Sequence, residues 1–341
     1  MKGSVLVYGA GVIGSVYALR CAAAGFRVAA VARGERLASL RRHGLALRNA
    51  PLGIEERAEI EVAEAPPIGE SYDAIIVALR SGQVESGLMA LRDAHAQGPV
   101  AVIGNNLGDL PHQASIVGSG RVAFGFGAFG GYRDDGGIVY LDGRDARHRG
   151  ARSIGSTTLG IIDEGSRPAL GRIEAVLETA GLPTSECPDI RAWLLYHAAL
   201  VFPMAGAIYA SGGTQERFCR TRDAVALGVR AAKELFRALE SLGVPMQPRS
   251  LKRLAALPER LLVPLLSKRL GGESARIAMF GHVNAGGGRS EISGQAAVLD
   301  AFARGAGADM PAWTSLVPYF SADSAPEPLP DGSRELRLRW L

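Results

Sequence analysis

Apolar positions fall in short unbroken blocks through the first hundred residues and at helical spacing through the last hundred and fifty. Ser4 to Tyr8 (SVLVY) is a β-branched block of strand length that runs into Gly9-Ala10-Gly11-Val12-Ile13-Gly14, and Ser15 to Ala24 then reads as a helix with small residues toward a sheet. Arg27 to Ala32, after Gly25, reads as a second strand and completes a strand-helix-strand unit long enough for a parallel crossover. Asp73 to Leu79 (DAIIVAL) and Val100 to Gly104 are apolar almost throughout, the pattern of strands buried on both faces of a parallel sheet. Between 118 and 159, glycine-spaced fragments at Val122 to Phe126, Gly137 to Leu141 and Thr157 to Ile161 predict an antiparallel extension of that sheet, and Pro168 to Ala180 a helix. Beyond Asp189 helical spacing takes over through Arg191 to Tyr209, Arg222 to Leu242, Leu251 to Leu266 and Glu291 to Ala306. Pro203 predicts a kink in the first of these helices, and Gly206 close packing. The expected organisation is a doubly wound α/β domain over 1–188, an all-helical C-terminal domain over 189–320 and a proline-bearing extension over 321–341 with no assigned role.

Composition narrows the class. The 341 residues suffice for two domains, and 47% hydrophobic against 21% charged, with no apolar run of 18, sets aside disorder and a membrane partner. The net charge of +4 conceals 34 arginines against four lysines, Lys2, Lys233, Lys252 and Lys268. Those arginines are interspersed with acids and form no stripe among aromatics, so no nucleic-acid partner is predicted. Cys21, Cys187 and Cys219 are odd in number and lack CxxC spacing, which argues against a disulfide framework or a zinc knuckle and fits a reducing cytoplasm, with inert packing expected for Cys187 and Cys219. His43, His95, His112 and His148 stand in polar or loop segments without ligand partners, so no metal is predicted. Met1-Lys2 leads directly into the first strand, with no secretory h-region to read.

The glycine run carries the first chemistry. In Gly9-x-Gly11-x-x-Gly14 the first glycine suits the tight turn, the second lets backbone approach a pyrophosphate, and the third brings helix and strand together. The phosphates would rest on the N–H groups that open the helix at Val12 and Ile13. A Rossmann-type dinucleotide site follows, the alternative being a glycine turn without ligand. The second strand ends in Ala32-Arg33-Gly34 with no acid before Glu35, so Arg33 stands where a 2′-phosphate would lie and NADPH/NADP is expected over NAD. Arg36 is either an auxiliary to it or a solvated helix charge.

GAGVIGS followed by VARGERLASLRRHGLAL resembles the N-terminal signature of the ketopantoate reductase (2-dehydropantoate 2-reductase) family, and the resemblance extends along most of the chain. Arg80, closing Asp73 to Arg80, stands where the family has a lysine near the cofactor. Gly104-Asn105-Asn106-Leu107-Gly108 is similar to its Gln-Asn-Gly loop, which implies that Asn105 lies on the nicotinamide and substrate side. Asp189-Ile190-Arg191-x-Trp193 resembles the opening of its helical domain, and Ser290-Glu291-Ile292 its Thr-Glu-Ile segment, whose glutamate lies in the active site. The resemblance implies a Rossmann domain followed by a helical domain, NADPH-dependent reduction of a small-molecule 2-keto acid or related carbonyl in the cleft between them, a place in pantothenate biosynthesis, and room for a homodimer.

The departures bear on the chemistry. The family's proton-donating lysine and the asparagine one turn later correspond to Leu195 and Ala199, and leucine can neither donate a proton nor stabilise an alkoxide. Of the four lysines only Lys233 lies within a long second-domain helix, and a solvated role is expected for each. Three groups could stand in: His197, beside Tyr196 in an apolar helix; His282, before the glycines 286 to 288; and Glu291. Their plain alternatives are a hydrogen-bonded core histidine for His197 and a helix N-terminal charge for Glu291. A catalytically silent NADP-binding sensor or partner-binding protein is the alternative function.

Overall fold

The computed structural model describes residues 2–127, 129–134, 137–142, 156–284 and 288–339. The chain divides into two compact units, Met1–Arg191 and Ala192–Leu341.

The first unit runs β1 (Ser4–Tyr8), α1 (Val12–Ala23), β2 (Arg27–Val31), α2 (Gly34–His43), β3 (Leu45–Asn49), β4 (Ile54–Ala58), β5 (Glu61–Ala63), β6 (Ala74–Val77), α3 (Ser81–Asp93), β7 (Val100–Ile103), α4 (Leu110–Val117), β8 (Val122–Phe126), β9 (Phe129–Asp134), β10 (Gly137–Asp142), β11 (Thr157–Gly160), α5 (Arg167–Thr179) and β12 (Thr184–Glu186). The main sheet has the order β12-β11-β8-β7-β6-β1-β2-β5. Strands β5, β2, β1, β6, β7 and β8 are mutually parallel, with Val5 opposite both Val28 and Ala74. Their apolar blocks are buried because helices cover both faces, and Val5, Leu6, Val7, Ile75 and Ile76 are fully excluded from water.

The antiparallel extension expected between 118 and 159 needs correcting. Strand β8 continues the parallel order beside β7, and the antiparallel turn comes at β11, with β12 parallel to it. Gly137 to Leu141 belongs elsewhere, in a separate four-stranded sheet of order β4-β3-β10-β9. A buried polar cluster ties that small sheet to α1: Arg20 donates to Glu56 (3.0 Å) and to the Tyr140 hydroxyl (2.9 Å), Tyr140 donates to Glu56, and Asn49 donates to Glu56 (3.0 Å). Gly131 of β9 packs close to Val12 at the start of α1, where a Cβ would lie 2.8 Å from the valine methyl.

The second unit is helical: α6 (Ile190–Ala210), whose first two residues fall in the first unit, α7 (Gln215–Arg220), α8 (Arg222–Ser241), α9 (Leu251–Ala256), α10 (Glu259–Leu270), short turns over Glu273–Asn284, α11 (Gly288–Arg304) and α12 (Pro311–Leu316). Helix α6 has the length and apolarity of a membrane span, but 78% of its most apolar stretch is buried inside the protein. Pro203 lies within it, and Gly206 admits the ring of Phe320, to which a Cβ would come within 3.1 Å. The helix expected over Leu251 to Leu266 is two, because Pro258 forces Leu257 into an extended conformation that ends α9. Glu234 on α8 accepts the N–H groups of Ala312 and Trp313 and so caps α12 from a neighbouring helix.

The segment after Phe320 is held to this unit. Leu329 N–H donates to Ala210 C=O (2.8 Å), Arg220 pairs with Asp331, and the buried carboxylate of Asp223 accepts the N–H groups of Glu335 (2.7 Å) and Leu336 (3.1 Å). Glu259 accepts from Nε and Nη2 of Arg230, each at 2.9 Å, and from the N–H of Arg339 at 3.0 Å.

Candidate dinucleotide site

The chain leaves β1 toward β2 and β5 on one side of the main sheet and toward β6, β7 and β8 on the other, so the order reverses between β1 and β6. Ligands of open parallel sheets bind at such a point, outside the carboxyl ends of the strands. At this edge lie the Gly9–Gly14 turn after β1, Arg33 after β2, Arg80 after β6 and Gly104-Asn105 after β7.

The three glycines are required in different ways. Gly9 has φ +103° and a Cβ there would lie 2.5 Å from the Ala78 carbonyl oxygen; at Gly14 it would lie 2.0 Å from the Gly9 carbonyl oxygen. Nothing stands within 4 Å of a Cβ at Gly11, the residue that caps α1 in extended conformation. Gly11 therefore opens space that the fold itself does not use. The first bond of α1 runs from Ser15 N–H to Gly11 C=O, so the N–H groups of Val12, Ile13 and Gly14 precede the ladder, and no acid occupies the first turn. That geometry fits a pyrophosphate, held by backbone N–H groups and the helix dipole.

Arg33 is exposed at the N-cap of α2, and its Nη2 donates to the Tyr8 hydroxyl at 3.1 Å. Tyr8 ends β1 opposite Val31, so the parallel register places Arg33 beside it. Arg36 is tied to the glycine turn rather than solvated: its Nε donates to Ala10 C=O (2.9 Å) and its Nη2 to Ser15 Oγ (3.0 Å). Burial, and secondarily the charge of Arg133, pull the Arg36 guanidinium down to about 10. Tyr8 holds Arg33 in a way that sequence reasoning missed, because strand register decides it. Arg80 is exposed at the N-cap of α3. Asn105, half-buried, follows Gly104, whose φ is +147°. Its neighbour Asn106 anchors the loop by donating to Gln113 (2.7 Å) and accepting Gly108 N–H (3.2 Å).

The expected proton donors belong to the second unit. His197 stacks on Trp193, one turn earlier on α6, with ring centroids 5.0 Å apart and an interplanar angle of 6°. Burial lowers its imidazole to about 4, so it is neutral at pH 7. Leu195 and Ala199 are buried, and the Tyr196 hydroxyl donates to Val244 C=O at 3.1 Å. Lys233 is not solvated as expected: it is half-buried, donates to Leu257 C=O at 2.6 Å, and is lowered by that burial. Glu291 is half-buried in the first turn of α11. His282 lies in the turn Gly281–Asn284, and its side chain falls outside the described residues, as do residues 285–287. Cys21 and Cys187 are buried thiols, Cys21 pushed up to about 12 by burial. Among the described residues no three His, Cys, Asp or Glu side chains converge as a metal would require.

Residues 5–153 match the family model ApbA, ketopantoate reductase PanE/ApbA. No curated protein matches the chain by sequence. The fold is similar to that of a candidate ketopantoate reductase from Ralstonia solanacearum MolK2, at 19% identity and TM-score 0.70, covering 94% of this chain and 97% of that one. It is also similar to D-mandelate dehydrogenase in a ternary structure with NADH and anilino(oxo)acetate, at 15% identity and TM-score 0.68, covering 93% and 97%. A third likeness is to 2-dehydropantoate 2-reductase of Porphyromonas gingivalis W83, at 14% identity and TM-score 0.60, covering 92% and 97%. At such identities the structural likeness is one of fold.

Proposed function

We propose, for a chain that belongs over residues 5–153 to the ketopantoate reductase family, an NADPH-dependent reduction of a small 2-keto acid or related carbonyl compound to the corresponding alcohol. The observation that carries it is the open Gly11 at the head of α1, with Arg33 fixed by Tyr8 at the end of β2 and no acid in its place. In this reading the N–H groups of Val12 and Ile13 hold the pyrophosphate, Arg33 pairs with the 2′-phosphate, and Arg80 and Asn105 face the nicotinamide end. The reduced nicotinamide, when bound, supplies the hydride to the carbonyl carbon. The developing alkoxide then needs a proton, and neutral His197 can give one only as imidazole N–H, a far weaker acid than imidazolium. Glu291 and His282 remain the candidates for holding that proton.

Fluorescence titration tests the cofactor assignment. NADPH binds about tenfold or more tightly than NADH, and Arg33→Asp, which removes the phosphate's partner and adds a like charge, abolishes the difference. Equal affinities in the unaltered protein would overturn it. A second reading, a silent NADP-binding sensor or partner-binding protein, is favoured by the buried apolar pair Leu195 and Ala199. NADPH binding without turnover of any 2-keto acid would select that reading.

A further inference from the structure

The second unit contains a cavity of about 400 Å³ lined by none of the residues invoked above for cofactor or proton transfer. Its charged group is Arg289, at the start of α11. The guanidinium carbon lies 4.5 Å from the centroid of the Tyr209 ring, and Nη2 donates to Tyr319 C=O at 2.6 Å. Tyr209 is itself fixed, donating its hydroxyl to Val283 C=O at 2.9 Å. Pro326 and Pro328 complete the wall, on a stretch held by Tyr319 Oη donating to the intervening Glu327 C=O (3.2 Å) and by Leu329 N–H donating to Ala210 C=O.

No carboxylate pairs with Arg289 among the described residues, and its Nε is buried without a hydrogen-bond partner. The undescribed residues beside it, 285–287, are Ala-Gly-Gly and carry no acid. A guanidinium stacked on a ring and held at one nitrogen is oriented in advance, so an arriving anion loses little freedom in ordering it. Other lining side chains bring two phenols, prolines and a valine, but no second cation. One cation matches one negative charge. The apolar walls match a hydrocarbon body, and the volume is that of a small-ligand site.

We propose that this cavity binds a small organic monocarboxylate, with its oxygens on Arg289 and its apolar part against Pro326 and Pro328. The site lies within the second unit and needs no dinucleotide.

Ligand-observed NMR titration of the cofactor-free full chain with butyrate and phenylacetate tests this, with phenylacetamide and inorganic phosphate as comparisons. Saturable carboxylate binding is expected with Kd of about 1–10 mM or below. The amide and phosphate should each bind about tenfold more weakly, since the first lacks the charge and the second the apolar body. Arg289→Gln should weaken carboxylate binding by about tenfold or more. Pro326→Asp, at an exposed position where folding is not at stake, should do the same by placing a like charge in the wall. Equal binding of amide and acid, phosphate binding as tight as phenylacetate, or carboxylate affinity unchanged in Pro326→Asp would each overturn the proposal.

Discussion

Gly11 and Gly14 belong to one motif yet answer to different demands, and substitution separates them. An alanine Cβ at Gly14 would meet the Gly9 carbonyl oxygen, a backbone atom that cannot swing aside, so Gly14→Ala should cost about 1–3 kcal/mol of folding stability. Gly11→Ala meets nothing within 4 Å and should leave the urea midpoint unchanged while weakening NADPH about tenfold or more, because the methyl fills the space the pyrophosphate would use. Loss of stability in Gly11→Ala, or unchanged affinity, would show that the space serves the fold and not a ligand. His197 carries a pH signature of its own. Its pKa falls from 6.5 to about 4 on burial, so the unfolded chain binds the proton more readily between those values. The stability this contributes is complete above pH 6.5 and is lost as pH falls toward 4, up to about 3 kcal/mol. Unfolding measured from pH 7 to 4 should show a flatter acid limb in His197→Gln, and the His197 ring proton shifts should not titrate above about pH 5.

At the scale of elements, the sequence made β1, α1, β2, β6 and β7 legible because strands buried on both faces write their burial as unbroken apolar blocks. The four-stranded sheet was not legible in the same way. Strand β4 (Ile54–Ala58) is mostly exposed and reads IEERA, and β3 pairs with β10 across some ninety residues of chain, a contact that no local pattern announces. For the same reason the sequence left Arg36 open between an auxiliary and a solvated charge: its acceptors, Ala10 and Ser15, are distant in sequence. The tail after Phe320 was opaque because most of its bonds run through its backbone N–H and C=O groups, so its side chains carry little of the signal. Asp223→Ala removes the acceptor for two of those groups and should lower stability by about 2–4 kcal/mol in urea unfolding. Asp323→Ala, at an exposed position of the same tail, should change it by less than about 0.5 kcal/mol. Equal effects from the two would mean that the tail is not held through Asp223.

For the whole molecule, the groups of the proposed cofactor site in the first unit agree with one another, while the second unit presents apolar side chains at the positions that correspond by resemblance to the family's donor pair. Leu195 and Ala199 are both buried on α6, and His197 between them is neutral. Ketopantoate reduction should therefore be slower than a lysine-bearing enzyme would achieve by about 10²- to 10⁴-fold, the contribution of a positioned general acid. Leu195→Lys should not restore it, because an ammonium replacing a side chain that is 7% exposed would be driven toward its neutral form by desolvation. The measurement is steady-state oxidation of NADPH with ketopantoate and with a panel of 2-keto acids, for the unaltered chain and for Leu195→Lys. Faster turnover of another 2-keto acid, with ketopantoate poor in both proteins, is the expected outcome, and a Glu291→Gln variant should then lose that turnover while its NADPH affinity is kept. Rapid ketopantoate turnover by the unaltered chain would mean that a group elsewhere delivers the proton and that Leu195 does not occupy the donor's place.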